Sequence, residues 1–60
     1  MFVYIKNEKL KEKVPIKYSQ GEHKVNGDTY TVYPVDAVPK ELLQNFTLNK
    51  DFFFSKRLFF

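Results

Sequence analysis

The chain has no cysteine and no tryptophan, a single histidine and only two glycines among its 60 residues. Without cysteine pairs it is not a disulfide-stapled secreted mini-protein. One histidine cannot furnish the four ligands of a structural zinc site. Long apolar runs are missing too. The longest, residues 1–5, falls far short of the roughly 20 residues that span a bilayer. It is also too short for a secretory core segment, and no charged stretch precedes it. The expectation is a chain made and used inside the cell, cytoplasmic and without a membrane span. Asn45-Phe46-Thr47 matches a glycosylation sequon and is read as chance in that setting.

What is present argues for a folded chain. Hydrophobic residues make up 43% and aromatics 18%, from seven Phe and four Tyr. Such a composition excludes disorder. The size is awkward: a 60-residue domain buries only about 60% of its unfolded surface and is marginal on its own. Small domains without metals or disulfides often rely on oligomerisation, so the cheapest partner is a second copy. Lys, Asn, Phe, Tyr and Ile, whose codons are AT-rich, supply 26 of the 60 residues. That usage points to an AT-rich source such as a low-GC bacterium, its phage or a mobile element.

Read along its length, the chain is one small domain, 1–60, that is mainly β. Residues 1–5 are a run of β-formers. Residues 6–13 are polar, with Leu10 as their one apolar side chain, and read as a loop. At 14–18, Val14, Ile16 and Tyr18 alternate with Pro15 and Lys17, the pattern of a half-buried strand; Pro15 places it at an edge. The strongest local signal is Asn26-Gly27 between two extended arms, 22–26 and 28–34. That dipeptide is the preferred centre of a type I′ hairpin turn. On the second arm Tyr30 and Val32 share one face, and Thr29, Thr31 and Tyr33 the other. Pro34 ends regular pairing. Residues 39–46 predict a short helix with Pro39 at its start and Leu42, Leu43 and Phe46 along one stripe. A last strand is expected at 52–59. The predicted fold is a five-stranded barrel, roll or sheet of SH3-like or OB-like size, with one short helix before the last strand. The comparison concerns architecture only, and architecture does not fix function.

Five of the seven Phe lie in the last nine residues. Burying one Phe stabilises by roughly 1.5–3 kcal/mol, so five approach the whole stability of a small domain, about 5–15 kcal/mol. Exposed, a Pro-free aromatic stretch is an aggregation hazard. These rings therefore need cover. As a strand, the segment places Phe52, Phe54, Lys56 and Leu58 on one face and Phe53, Ser55, Arg57 and Phe59 on the other. A final strand in the chain's own sheet is the plainest cover, but one small core covers one such face, which leaves the second for a subunit or partner. The interface expected on this argument comprises Phe2, Tyr4, Phe52, Phe53, Phe54, Leu58, Phe59 and Phe60. Lys56 and Arg57 among these rings also fit a membrane-surface segment, but nine residues with two charges are short for that role.

The net charge of +3 is concentrated. Residues 6–17 hold Lys6, Lys9, Lys11, Lys13 and Lys17 against Glu8 and Glu12, and the rest of the chain is balanced. Those lysines suit phosphate contact, and Tyr4, Tyr18, Tyr30 and Tyr33 could stack bases as OB-like barrels do. A solvated Lys/Glu loop that guards a sheet edge accounts for them better, since the net charge is modest. There is a single Arg, the usual reader of guanine edges, and no helix-turn-helix or RNP-type pattern.

Chemistry finds little support. His23 and Glu22 are neighbours in a strand and point to opposite faces. Ser19 and Ser55 have no placed base. Asp28, Asp36 and Asp51 sit in turn-like settings, where Asp serves the backbone. Both glycines fit turns, and no phosphate-cradling loop exists. No catalytic, metal-binding or cofactor-binding residue is assigned, and the chain is not expected to be an enzyme. The expected function is a small protein-binding or assembly module, homo-oligomeric, serving a larger protein as an accessory, chaperone-like or inhibitory factor. The alternative is a small basic domain that binds single-stranded nucleic acid or RNA through the five lysines.

Overall fold

A computed structural model of the chain describes residues 1–10 and 14–58. Four strands, β1 (Phe2–Lys6), β2 (Gly21–Val25), β3 (Asp28–Pro34) and β4 (Phe52–Ser55), form one sheet in the order β2-β3-β1-β4. All neighbours in it are antiparallel. Two short helices, α1 (Asn7–Leu10) and α2 (Lys40–Gln44), and 3₁₀ turns at Ile16–Tyr18 and Val35–Ala37 occupy the connections. β1 and β2 run in the same direction with β3 between them, and β3 and β4 likewise flank β1. This is split-βαβ connectivity. The sheet is open, with β2 and β4 as its edges, and is not the closed five-stranded barrel that the sequence suggested.

The hairpin forms as its residues dictate. Asn26 (φ 51°) and Gly27 (φ 87°) both take positive φ, the requirement of a type I′ turn. Val25 pairs with Asp28 at its mouth, and the register runs to Gly21 opposite Val32. The facing residues fall as expected: Tyr30 and Val32 lie on one side of the sheet, Thr31 and Tyr33 on the other.

The three prolines share one local setting. Each sits immediately before a helical turn, in extended geometry: Pro15 (φ −59°, ψ 135°), Pro34 (φ −60°, ψ 140°) and Pro39 (φ −60°, ψ 136°). Proline has no N–H to leave unsatisfied there and its φ is already set. At Pro15 this overturns the expected strand at 14–18. The Pro15 carbonyl accepts from Tyr18 N–H at 3.2 Å and the Ile16 carbonyl accepts from Ser19 N–H at 2.9 Å, so the chain winds into a 3₁₀ turn. Val14 is buried, but Ile16 stays 65% exposed, and the alternation does not mark a buried face. Residues 7–10, expected in a loop, make a single helical turn. The expected helix at 39–46 is trimmed to Lys40–Gln44. The last strand stops at Ser55, not at residue 59.

The core occupies both sides of the sheet. On the helical face Val3, Ile5 and Tyr33 pack with Val14, Val38, Leu42 and Phe52, bordered by Leu10, Val35, Leu43 and Phe46. On the opposite, aromatic face Tyr4, Tyr30 and Val32 pack with Phe2, Val25 and Phe53. Val3, Tyr4 and Ile5 in β1 are fully buried, as are Val32 and Tyr33 in β3. One chain therefore covers both faces of its central strands, contrary to the expectation that it could cover only one. Large rings make this possible. Phe53 stacks on Tyr4, its cross-strand partner, at 4.7 Å between centroids, and meets Tyr30 edge-on at 5.2 Å. Such pairs contribute about 0.5–1.5 kcal/mol beyond area burial.

Two polar ties fix the connections to the sheet. The Tyr33 hydroxyl donates to the Val14 carbonyl at 3.2 Å, inside the core. Thr31 donates to the Asn7 side-chain oxygen, and Asn7 donates in turn to Glu22. The second tie holds α1 against β3 and the β2 edge.

Candidate protein-binding edge

The Phe-rich strand β4 lies at an edge, so its backbone is half-paired. The Lys6 N–H donates to the Asp51 carbonyl at 2.9 Å, which sets the phase of the β1–β4 ladder. Hydrogen-bonded and non-bonded pairs alternate along antiparallel strands. Tyr4–Phe53 and Phe2–Ser55 are then the bonded pairs, while Phe52 and Phe54 turn their N–H and C=O groups outward. At Phe52 the outward carbonyl is already used, accepting from Asn49 N–H at 2.6 Å. The 47–51 turn thus closes one end of the edge. It is built by Asp51, whose carboxylate accepts from Thr47 N–H at 3.0 Å, and by Asn49 at φ 69°. Phe54 marks the end left open.

Phe54 is 43% exposed. Its ring meets the buried Phe52 edge-on at 5.5 Å, and Phe52 in turn approaches Phe46 at 6.3 Å. Leu48, bridged to Phe52 across the edge, is 51% exposed. Met1 is also exposed, and its strand parity puts it on the same side of the sheet as Val3 and Phe54. The edge thus combines an outward backbone position with exposed apolar side chains.

The expected interface residues separate into three groups. Tyr4 and Phe52 are buried in the core and present no surface. Phe2 and Phe53 are half-buried on the aromatic face. Phe54 and Leu58 are exposed, and Phe59 and Phe60 lie outside the described residues. Leu48 was not legible as a candidate, because a lone leucine in a polar turn carries no pattern. Ile16 and Tyr18 are exposed for the reason given above.

Three of the five candidate lysines are among the described residues. Lys6 reaches Asp28 at 3.6 Å. Lys9 and Lys17 are exposed, and the Lys17 ammonium stands 5.2 Å from the ring of its neighbour Tyr18. Lys11 and Lys13 lie outside the described residues. Tyr4, Tyr30 and Tyr33 are buried, leaving Tyr18 as the exposed tyrosine. Burial raises the Tyr33 phenol above its ordinary pKa. His23 is half-buried beside the Tyr4 ring, edge-on at 6.2 Å. Among the described residues there is no pocket, no group of three His, Asp or Glu side chains able to hold a metal, and no helix long and apolar enough to cross a membrane. No family model, no curated protein and no solved structure matches the chain.

Proposed function

We propose that the chain is a non-enzymatic protein-binding and assembly module that associates through the β4 edge, with a second copy as its simplest partner. The observation that carries this reading is Phe54: a large ring kept 43% in water on a strand whose backbone at that residue faces outward. An added strand would gain main-chain hydrogen bonds there and an apolar anchor beside them, the two components of recognition by strand addition. The edge is also self-complementary. Two copies of β4 running antiparallel with Phe54 opposite Phe54 satisfy both N–H and both C=O groups about a two-fold axis, the isologous arrangement of most dimers. Leu48 and Met1 add apolar surface beside the contact. The same module could act on a larger protein as an accessory or inhibitory factor by offering this edge to it.

Nucleic-acid binding is the weaker reading, because three of the four tyrosines it would use for stacking are buried. Light scattering coupled to size exclusion, at two protein concentrations and at low and high salt, tests the proposal. A concentration-dependent oligomer that persists in high salt supports an apolar edge contact. A monodisperse monomer at high micromolar concentration refutes it.

A further inference from the structure

Among the described residues no helix packs on the aromatic face of the sheet; Leu10 of α1, Leu42 and Leu43 of α2 and Val35 of the second 3₁₀ turn pack on the Val3 and Ile5 side. Yet Tyr4 and Val32 at the centre of that face are fully buried. The chain leaving β4 contributes to this cover. It bends after Ser55, whose side chain shares the aromatic face with Phe53 by strand parity. The Ser55 hydroxyl donates to the Arg57 carbonyl at 2.7 Å and accepts from the Arg57 N–H at 3.2 Å. The Tyr4 hydroxyl donates to the same Arg57 carbonyl at 3.2 Å, across 53 residues of sequence. One carbonyl thus receives two hydroxyls, one from the turn and one from the centre of the sheet.

We propose that residues 56–58 form a releasable strap, latched at the Arg57 carbonyl by Tyr4 and Ser55, that holds the aromatic face closed and so limits self-association. The inference rests on the edge-association reading and adds its regulation. The side chains of Lys56 and Arg57 are exposed and Leu58 is 36% exposed, while the strap's hydrogen bonds to the sheet and the turn run through its backbone. Segments held in this way open more readily than a core strand. Size gives the strap its consequence. A stable dimer buries about 800 Å² per partner, so apolar area added beside the Phe54 contact tightens it. The rings of Phe53, Tyr4 and Tyr30 lie on the face the strap closes. Releasing it offers a second copy apolar area beyond the edge itself.

The test removes the latch and keeps the rings. Tyr4→Phe and Ser55→Ala, singly and together, are compared with the wild-type chain by hydrogen exchange at residues 56–58 and by sedimentation equilibrium. The expected result for the pair is exchange faster by about tenfold at the Arg57 amide, as three hydrogen bonds are lost, with self-association tightened by at least about fivefold. Unchanged exchange in all three variants overturns the latch. Faster exchange with unchanged self-association of a chain that does associate overturns the gating, while edge association stands. Faster exchange in a chain that stays monomeric throughout overturns the edge-association reading and the gating with it, leaving a latch that regulates nothing.

Discussion

Tyr33→Phe isolates one hydrogen bond in the core. The Tyr33 ring is fully buried and its hydroxyl donates to the Val14 carbonyl, on a residue that is itself buried. Phenylalanine keeps the ring and leaves that carbonyl without its donor. An unsatisfied buried acceptor costs about 1–3 kcal/mol. The bond is long, at 3.2 Å, so the expected loss is at the low end, about 1–1.5 kcal/mol. Total stability for a chain of this size lies near the bottom of the usual range of about 5–15 kcal/mol, so the fraction lost is large. With a urea m-value of about 1 kcal/mol/M, the midpoint falls by about 1–1.5 M at neutral pH with m unchanged. The pH dependence supplies an independent check. Burial raises the Tyr33 phenol in the folded state, so the fold disfavours the phenolate. Its contribution is therefore fully present below the unfolded pKa of about 10. It is lost as pH rises through that value towards the folded one. The gap between wild type and Tyr33→Phe should narrow above about pH 10. A midpoint unchanged at neutral pH would refute the buried bond, and a gap that widens in alkali would refute the sign of the linkage.

Three further outcomes follow from the same structure. Gly27→Ala meets no atom within 4 Å of the added methyl group, so its cost comes from the backbone at φ +87°; a loss of about 1–2 kcal/mol is expected, with Asn26→Gly near neutral in the same urea titration. Lys17→Glu reverses an exposed charge beside Tyr18 and should leave the unfolding midpoint within about 0.5 kcal/mol of wild type. Retention on single-stranded oligonucleotide that this substitution abolishes would favour the basic reading over the apolar edge. The hydroxyl-deleting pair Tyr4→Phe and Ser55→Ala should speed amide exchange after β4 without loss of the far-ultraviolet circular dichroism of the sheet.

The parts of the fold legible in the sequence were those specified by adjacent residues. Asn26-Gly27 sets a turn through the φ preferences of two residues, so the β2–β3 hairpin was readable. Residues 1–5 are β-formers throughout, and the strand formed, Phe2–Lys6, is buried on both faces at Val3, Tyr4 and Ile5. The stripe of Leu42, Leu43 and Phe46 packed inward as its spacing implied. Misreadings arose where a short pattern met a competing local preference. Val14, Ile16 and Tyr18 alternate over only five positions, and Pro15 turned them into a 3₁₀ turn. Residues 7–10 form one helical turn, too short to show a period. At the C-terminal end the alternation continues on paper to Leu58, but the Ser55 hydroxyl captures the Arg57 backbone and ends the strand. The candidate site was half legible for a different reason. Phe54 and Tyr4 both belong to aromatic-rich strands, and what separates them is strand order: β1 is central and β4 is an edge. Strand order is set by pairing between distant segments, and local composition does not report it.

The central claim is that Phe54 on an open edge makes this chain an assembly module. Its most direct test is the molar mass of Phe54→Lys against wild type, by light scattering after size exclusion at matched high concentrations. The substitution places a charge where a second copy of β4 would pair, at a position already 43% exposed, so the fold should be retained. The account predicts a wild-type oligomer and a Phe54→Lys monomer with unchanged circular dichroism. An oligomer of equal mass in both proteins, or a monomer in both, would contradict it.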